Sequence, residues 1–314
     1  MKTARRTNPL LGLLALGIAG ILLAQTLGAL PGGAYDWIAR GAPALLIVIG
    51  LAFLLRDRVP FGSIFALLLT AALVVGIAYT AYQQRSTEVR TENRQPISQA
   101  IGTPNLLRVQ LQTLATQVDI IDSPSGGFVA GEFVGSSANR VSVTYFETED
   151  GTGTLTLTEQ TMSEIPTLDT LGRGSLRVEL PPFVPIEISL IGADGDTTLN
   201  LNELQIERLN VTVSRGNLVV QLPDYSPQAV SAGAFHGSIT TGEGNLTLFI
   251  PANVSARLEL NRGGSGIEPE YDPNVYNYLV GDVLEARDIL TAQSILRYSL
   301  TAPRGTIRVG TSQN

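Results

Sequence analysis

The chain has no cysteine, one histidine (His236) and one lysine (Lys2) among its 314 residues. Without cysteine there is no disulfide framework, no thiolate metal site and no cysteine nucleophile. Without a lysine beyond Lys2 there is no Schiff-base or serine–lysine chemistry in the body of the protein. A Ser/His/Asp arrangement would have to be built on His236, in Ala234-Phe235-His236-Gly237-Ser238, and no nucleophile-elbow pattern accompanies it. Bases are scarce after the first 83 residues. Of 21 bases and 28 acids, six bases and two acids fall in residues 1–83, which leaves the remainder at net −11. Such a region is repelled by nucleic acid and by bare anionic lipid.

What the sequence does have is three long apolar runs at its start: Pro9 to Leu30, Trp37 to Leu55 and Phe61 to Tyr82. Each is close to the roughly 20 residues of helix that span a hydrocarbon core. Residues 1–83 are therefore expected to form a membrane domain with three transmembrane helices at about 9–30, 37–55 and 61–82. In the second run, Arg40 is expected to snorkel to the interface beside Trp37. Lys2, Arg5 and Arg6 precede the first run and Arg56 and Arg58 follow the second, whereas the loop Pro31 to Asp36 has no base. The positive-inside rule then puts the N-terminus in the cytoplasm and the C-terminal domain outside, in a multi-pass plasma-membrane protein. Arg85, Arg90 and Arg94 count against that orientation, and a cleaved signal peptide is the alternative for the first run. Small residues at Ala15/Ala19, Gly20/Ala24 and Ala72/Gly76 suit close helix packing within one bundle, or between copies in a homo-oligomer.

Residues 84–105 are polar and read as a juxtamembrane linker. Beyond it, in 106–314, a Gly-led turn and an alternating strand recur: Gly153-Thr-Leu-Thr-Leu, Gly174-Ser-Leu-Arg-Val, Gly195-Asp-Thr-Thr-Leu, Gly216-Asn-Leu-Val-Val, Gly244-Asn-Leu-Thr-Leu and Gly305-Thr-Ile-Arg-Val. Period two places one apolar face against one polar face. The spacing is 21 residues from Gly174 to Gly195, 21 again to Gly216 and 28 to Gly244. Even spacing points to stacked, solenoid-like β-strands, with a β-sandwich as the alternative. The pattern allows two sub-units, 106–165 and 172–314. Val283 to Leu290 is the one patch that fits helix as well as strand.

The membrane segment LLGLLALGIAGILLAQTLGALPGGAYDWIARGAPALLIVIGLAFLL resembles the transmembrane region of LiaF-type cell-envelope stress proteins. The stretches LLRVQLQTLATQVDIIDSPSGGFVAGEFVGSSANRVSVTYFETEDGTGTLTLTEQ, VPIEISLIGADGDTTLNLNELQIERLNVTVSRGNLVVQLP and GNLTLFIPANVSARLEL resemble the toast-rack β domains of the same group. The resemblance implies a non-enzymatic membrane sensor or modulator of bacterial envelope stress. Its partners would be the lipid bilayer and a membrane sensor kinase or other envelope protein. It carries over no catalytic, cofactor-binding or metal residue. An even number of membrane helices is usual in that family, against three apolar runs here.

Several residues could still carry chemistry. Asp194-Gly195-Asp196 is similar to a calcium-binding β-roll turn, but hard cations need several oxygen ligands and the other turns do not repeat the pair. An Asp-Gly turn is the simpler account. Asp119 with Asp122, and Glu147, Glu149 and Asp150, read as solvated loop acids. Gly263-Gly264-Ser265-Gly266 reads as a turn, and Asn210, Asn245 and Asn253 head Asn-x-Ser/Thr strings. The function expected is protein–protein interaction, with a structural or adhesin-like surface module as the alternative.

Overall fold

The computed structural model describes residues 88–123, 127–162, 172–224, 227, 235–263, 267–292 and 295–312, together with Ala72. The three apolar runs otherwise lie outside the described residues, and among those described no helix is long and apolar enough to cross a membrane. From Val89 on, the chain forms one compact unit, Val89–Glu164 with Gly172–Asn314.

Its strands are β1 (Asn93–Ala100), β2 (Leu106–Asp122), β3 (Phe128–Gly135), β4 (Asn139–Glu147), β5 (Thr152–Thr161), β6 (Gly174–Leu180), β7 (Pro185–Asp194), β8 (Thr197–Asn200) and β9 (Gln205–Arg215). There follow β10 (Leu218–Gln221), β11 (Gly237–Glu243), β12 (Leu246–Pro251), β13 (Ser255–Asn261), β14 (Glu270–Tyr271), β15 (Tyr276–Leu279), β16 (Val283–Ala286), β17 (Ile295–Thr301) and β18 (Ile307–Ser312).

The strands build two faces. The first runs β4–β5–β2–β7–β9–β11–β17–β13–β16–β15, parallel from β5 to β13 and antiparallel at both ends. The second runs β1–β3–β6–β2–β8–β10–β12–β18–β14, parallel from β6 to β14. A rung is a first-face strand, a corner and a second-face strand: β7–β8, β9–β10, β11–β12 and β17–β18. β2 makes a whole rung alone, pairing with β5 and β7 along its first half and with β6 and β8 along its second. The two sub-units expected at 106–165 and 172–314 share this strand, so the sheet has no break between them.

Alternation in each rung turns one apolar set inward. On the first face Leu111, Leu190, Val211, Ile239 and Leu300 stand in register, all buried, and on the second Ile120, Leu199, Val220, Leu248 and Val309 do the same. Burying each such side chain is worth about 1.5–3 kcal/mol, so the columns carry the stack.

The stack departs from chain order. After β11–β12 the chain lays down β13 and β14 one place further out, forms the β15–β16 hairpin, and returns as β17–β18 between them. β17 pairs with β11 on one side and β13 on the other, and β18 lies between β12 and β14.

One sequence expectation is corrected here. The span 84–105, read as a linker, contains β1, which pairs along its length with β3. Only Ile97 of β1 is a buried aliphatic, and the strand's polar residues bond to main chain instead. Asn93 Nδ2 donates to the Asn139 carbonyl (2.8 Å), and Gln95 both donates to the Val141 carbonyl (2.6 Å) and accepts from its N–H (3.1 Å). Arg90, buried and paired with Glu92, and Val89, bridged to Arg173, tie the chain in before β1 begins. Val283 to Leu290, which fitted helix as well as strand in the sequence, is strand β16 followed by a turn. Val283, Leu284 and Ala286 are buried between β13 and β15.

Candidate interaction surface

The corner between faces explains the glycine spacing. A Cβ at Gly216 would lie 2.2 Å from the Gly195 carbonyl oxygen, and the φ of Gly216, 131°, is one that side-chain-bearing residues rarely adopt. The same contact recurs from Gly195 to the Thr116 carbonyl, from Gly244 to Gly216 and from Gly305 to Gly244, so the corners form one column.

The residue after each corner glycine holds the next rung. Asp196 Oδ1 accepts from the Asn217 N–H (2.8 Å) and Nδ2 (3.3 Å), Asn217 Oδ1 accepts from the Asn245 N–H (3.1 Å), and Asn245 Oδ1 accepts from the Thr306 N–H (3.0 Å). Asp196 is thus the first member of a ladder, and its neighbour Asp194 pairs with Arg173 at 2.8 Å. Among the described residues, no group of three or more His, Asp or Glu side chains could hold a metal. Sequence analysis missed this ladder, although its signal was present: Gly-Asp, Gly-Asn, Gly-Asn and Gly-Thr open successive repeats.

β2 has no glycine at its corner. Its bend frees the N–H groups of Leu114 and Ala115, and both donate to Glu159 Oε2, at 2.6 and 3.3 Å. Asn139 Nδ2 donates to Oε1 of the same buried carboxylate at 3.0 Å. Nothing in the sequence singled out Glu159, because its partners are distant in the chain.

His236 is buried at the entry to β11. Its N–H donates to the Arg297 carbonyl (2.8 Å), its carbonyl accepts from Leu209 (3.1 Å), and its Nδ1 accepts from the Arg297 N–H (3.1 Å). Burial foremost holds its pKa below the usual 6.5; the charges of Arg297 and Arg208 push the same way, against a main-chain hydrogen bond with Arg297 and the charge of Glu207. The imidazole is therefore a neutral acceptor that stitches β9, β11 and β17, its ring 6.3 Å from that of Tyr298.

The remaining acids do not converge. Asp119 stands on the second face in register with Arg177 and Thr198, and Asp122 lies at the end of β2. Asp150 closes the β4–β5 turn by accepting from the Thr148 hydroxyl and the Thr152 N–H; the Thr148 bond foremost holds its pKa below the usual carboxylate value. Glu147 accepts from the Tyr145 hydroxyl (3.4 Å), and Glu149 is exposed. Gly263 lies in a turn, while Gly264, Ser265 and Gly266 fall outside the described residues. The three asparagines of the Asn-x-Ser/Thr strings are engaged: Asn210 with Ser238, Asn245 with Thr306 and Asn253 with Asp224.

One surface left for contact with other molecules is the outer side of the first face. Two adjacent rows cross it in register. Gln110, Ser189, Asn210, Ser238 and Ser299 form one, and Gln112, Ile191, Thr212, Thr240 and Thr301 the other. Strands lie about 4.8 Å apart and alternate residues about 6.7 Å apart, so the rows make a regular array of short side chains. Ile191, 55% exposed, is its one large apolar member.

A model of the family described as "N-terminal domain of toast_rack, DUF2154" matches residues 83–249. The chain belongs to the toast-rack family. The match covers more than half of the chain and takes in β1 to β11 and the start of β12, while the inserted rung β17–β18 comes from beyond it. Among solved structures, the toast-rack chain is similar to a "putative cell adhesion protein" from Clostridium sporogenes, at 13% identity and TM-score 0.59, covering 70% of this chain and all (100%) of that one. A "putative adhesin" from Bacteroides fragilis aligns at 10% identity over 71% of this chain and 99% of its own, with TM-score 0.29. At such identities the first likeness speaks for the fold alone, and the second carries no weight. No curated protein matches the chain in sequence.

Proposed function

We propose that this chain is a non-enzymatic, membrane-anchored protein of the bacterial cell envelope whose toast-rack unit binds a protein partner through the outer side of its first face. One observation carries this reading. The side chains with reactive groups, His236, Asp196 and Glu159, are spent on main-chain bonds that hold the stack, while the outward rows are regular and, apart from Ile191, polar. That is a surface for recognition rather than turnover. The three apolar runs and the bases around them support an anchor with the unit outside the cytoplasm. The likeness to LiaF-type proteins favours a sensor kinase or another envelope protein as the partner, with the linked output being stress signalling.

The test is in-cell cross-linking of the full-length chain against a variant carrying Thr212→Arg and Thr240→Arg. Both sites are outward, so the fold should survive. The proposal expects a specific membrane protein to be captured by the parent and lost with the variant. Equal capture by both, or no specific capture, would refute it.

An adhesin-like surface role is the second reading, favoured by the name of the Clostridium sporogenes neighbour. Deletion separates the two. A regulator changes stress-response transcription, whereas a surface module changes adhesion or envelope integrity.

A further inference from the structure

The two ends of the first face are finished differently. At the β4 end, Asn93 and Gln95 occupy main-chain groups of Asn139 and Val141. Side chains thus cover part of an edge that would otherwise offer itself to another strand. At the β15 end, no described side chain plays that part.

Which groups β15 leaves open follows from the alternation of antiparallel pairs. Arg287 N–H donates to the Val275 carbonyl (2.9 Å), so Val275, Asn277 and Leu279 direct their main-chain groups to β16. Leu260 N–H donates to the Asp282 carbonyl (2.8 Å), so the main chain of Leu284, which stands opposite Tyr278, is turned to β13. Tyr276, Tyr278 and Val280 therefore face outward. The N–H of Tyr276 is already given to the Asp272 carbonyl at 3.0 Å. What the edge offers is the carbonyl of Tyr276, both groups of Tyr278 and the N–H of Val280.

That set is its own complement about a two-fold axis. We infer that the chain pairs with a second copy of itself through β15, antiparallel, with the axis at Tyr278. Each Tyr278 exchanges both main-chain bonds with its counterpart, and each Val280 N–H meets the other copy's Tyr276 carbonyl. Charge near the axis is largely balanced: Asp282 is held by Arg262 at 2.6 Å and by the Tyr278 hydroxyl, and the exposed carboxylate of Glu268 acts on the same Arg262. The pairing also covers apolar surface at Tyr278 (38% exposed), Leu279 (38%) and Val280 (103%). It is independent of what the outer rows bind.

The chain's lack of cysteine makes the test clean. Asn277 would stand opposite the second copy's Leu279 in a non-hydrogen-bonded pair, at about 4.5 Å between Cα atoms, within disulfide reach. Two differently tagged full-length copies, one Asn277→Cys and one Leu279→Cys, are mixed and oxidised. The expected result is a mixed disulfide at least about fivefold more abundant than in either single-site mixture, because like positions lie beyond easy bridging distance. Equal yields in all three mixtures overturn the pairing, as does capture of a different polypeptide at these positions in place of the second copy. Should the cysteine variants not fold, the mass of the unsubstituted full-length chain in detergent decides: two copies are expected, and a single copy refutes the inference.

Discussion

β2 and the rungs below it turn the same corner by different means. In β7–β8, β9–β10 and β11–β12 a glycine makes the turn and an Asp or Asn carboxamide or carboxylate oxygen holds the next rung. In β2 the residues are Leu114 and Ala115, and the main-chain donors that the bend frees are taken by a carboxylate from β5. The difference teaches where information sits. A glycine corner is written locally and repeats along the chain, whereas the Glu159 corner is written in a residue some 45 positions away.

The sharpest way to break this comparison is at a glycine corner. Gly216→Val puts a side chain against the Gly195 carbonyl in a conformation it resists. Backbone strain and overpacking together should cost about 3–5 kcal/mol, read as loss of the folded transition in thermal or urea melts. Next comes Glu159→Ala, which leaves the Leu114 and Ala115 N–H groups and the Asn139 amide without their acceptor. A cost of about 3 kcal/mol is expected in the same melts, with Glu159→Gln intermediate. Asn217→Ala removes one ladder acceptor and should cost only about 1 kcal/mol, with hydrogen exchange at the Asn245 amide rising before that of the rungs above it.

The smallest effect is a pH dependence. His236 has its native pKa lowered by burial, so the unfolded chain takes up a proton first as pH falls. Its contribution is complete above about 6.5 and is lost as pH drops from there through the lowered native value. Tm measured across that window should fall in the parent and fall less in His236→Gln.

How far the sequence announced all this follows from the same contrast. The alternating strands and the Gly174–Gly195–Gly216 spacing were legible because each rung carries its own glycine and its own apolar set. β1 was not. NRQPISQA has a single buried aliphatic, Ile97, and its asparagine and glutamine act on β4 across 46 positions of chain. The place of β17–β18 was hidden too, since Gly305 contacts Gly244 across a detour through β13 to β16. His236 looked like a candidate for chemistry because the chain has only one, and its structural role depends on Arg297, far along the sequence. The outer rows could be foreseen as polar strand faces, but their alignment needs the register.

The order of the stack is the claim on which the rest depends, and one pair of engineered disulfides tests it. Thr240 and Thr301 are paired in register on β11 and β17, and Asn261 lies one strand further out, beside Thr301. The in-register pair is about 4.8 Å apart, suited to a disulfide, and the outer pair is about twice that. Thr240→Cys with Thr301→Cys should close within one chain on oxidation, while Thr240→Cys with Asn261→Cys should not. The reverse result would mean that the rungs stack in chain order and that β17–β18 is not inserted between β11–β12 and β13–β14.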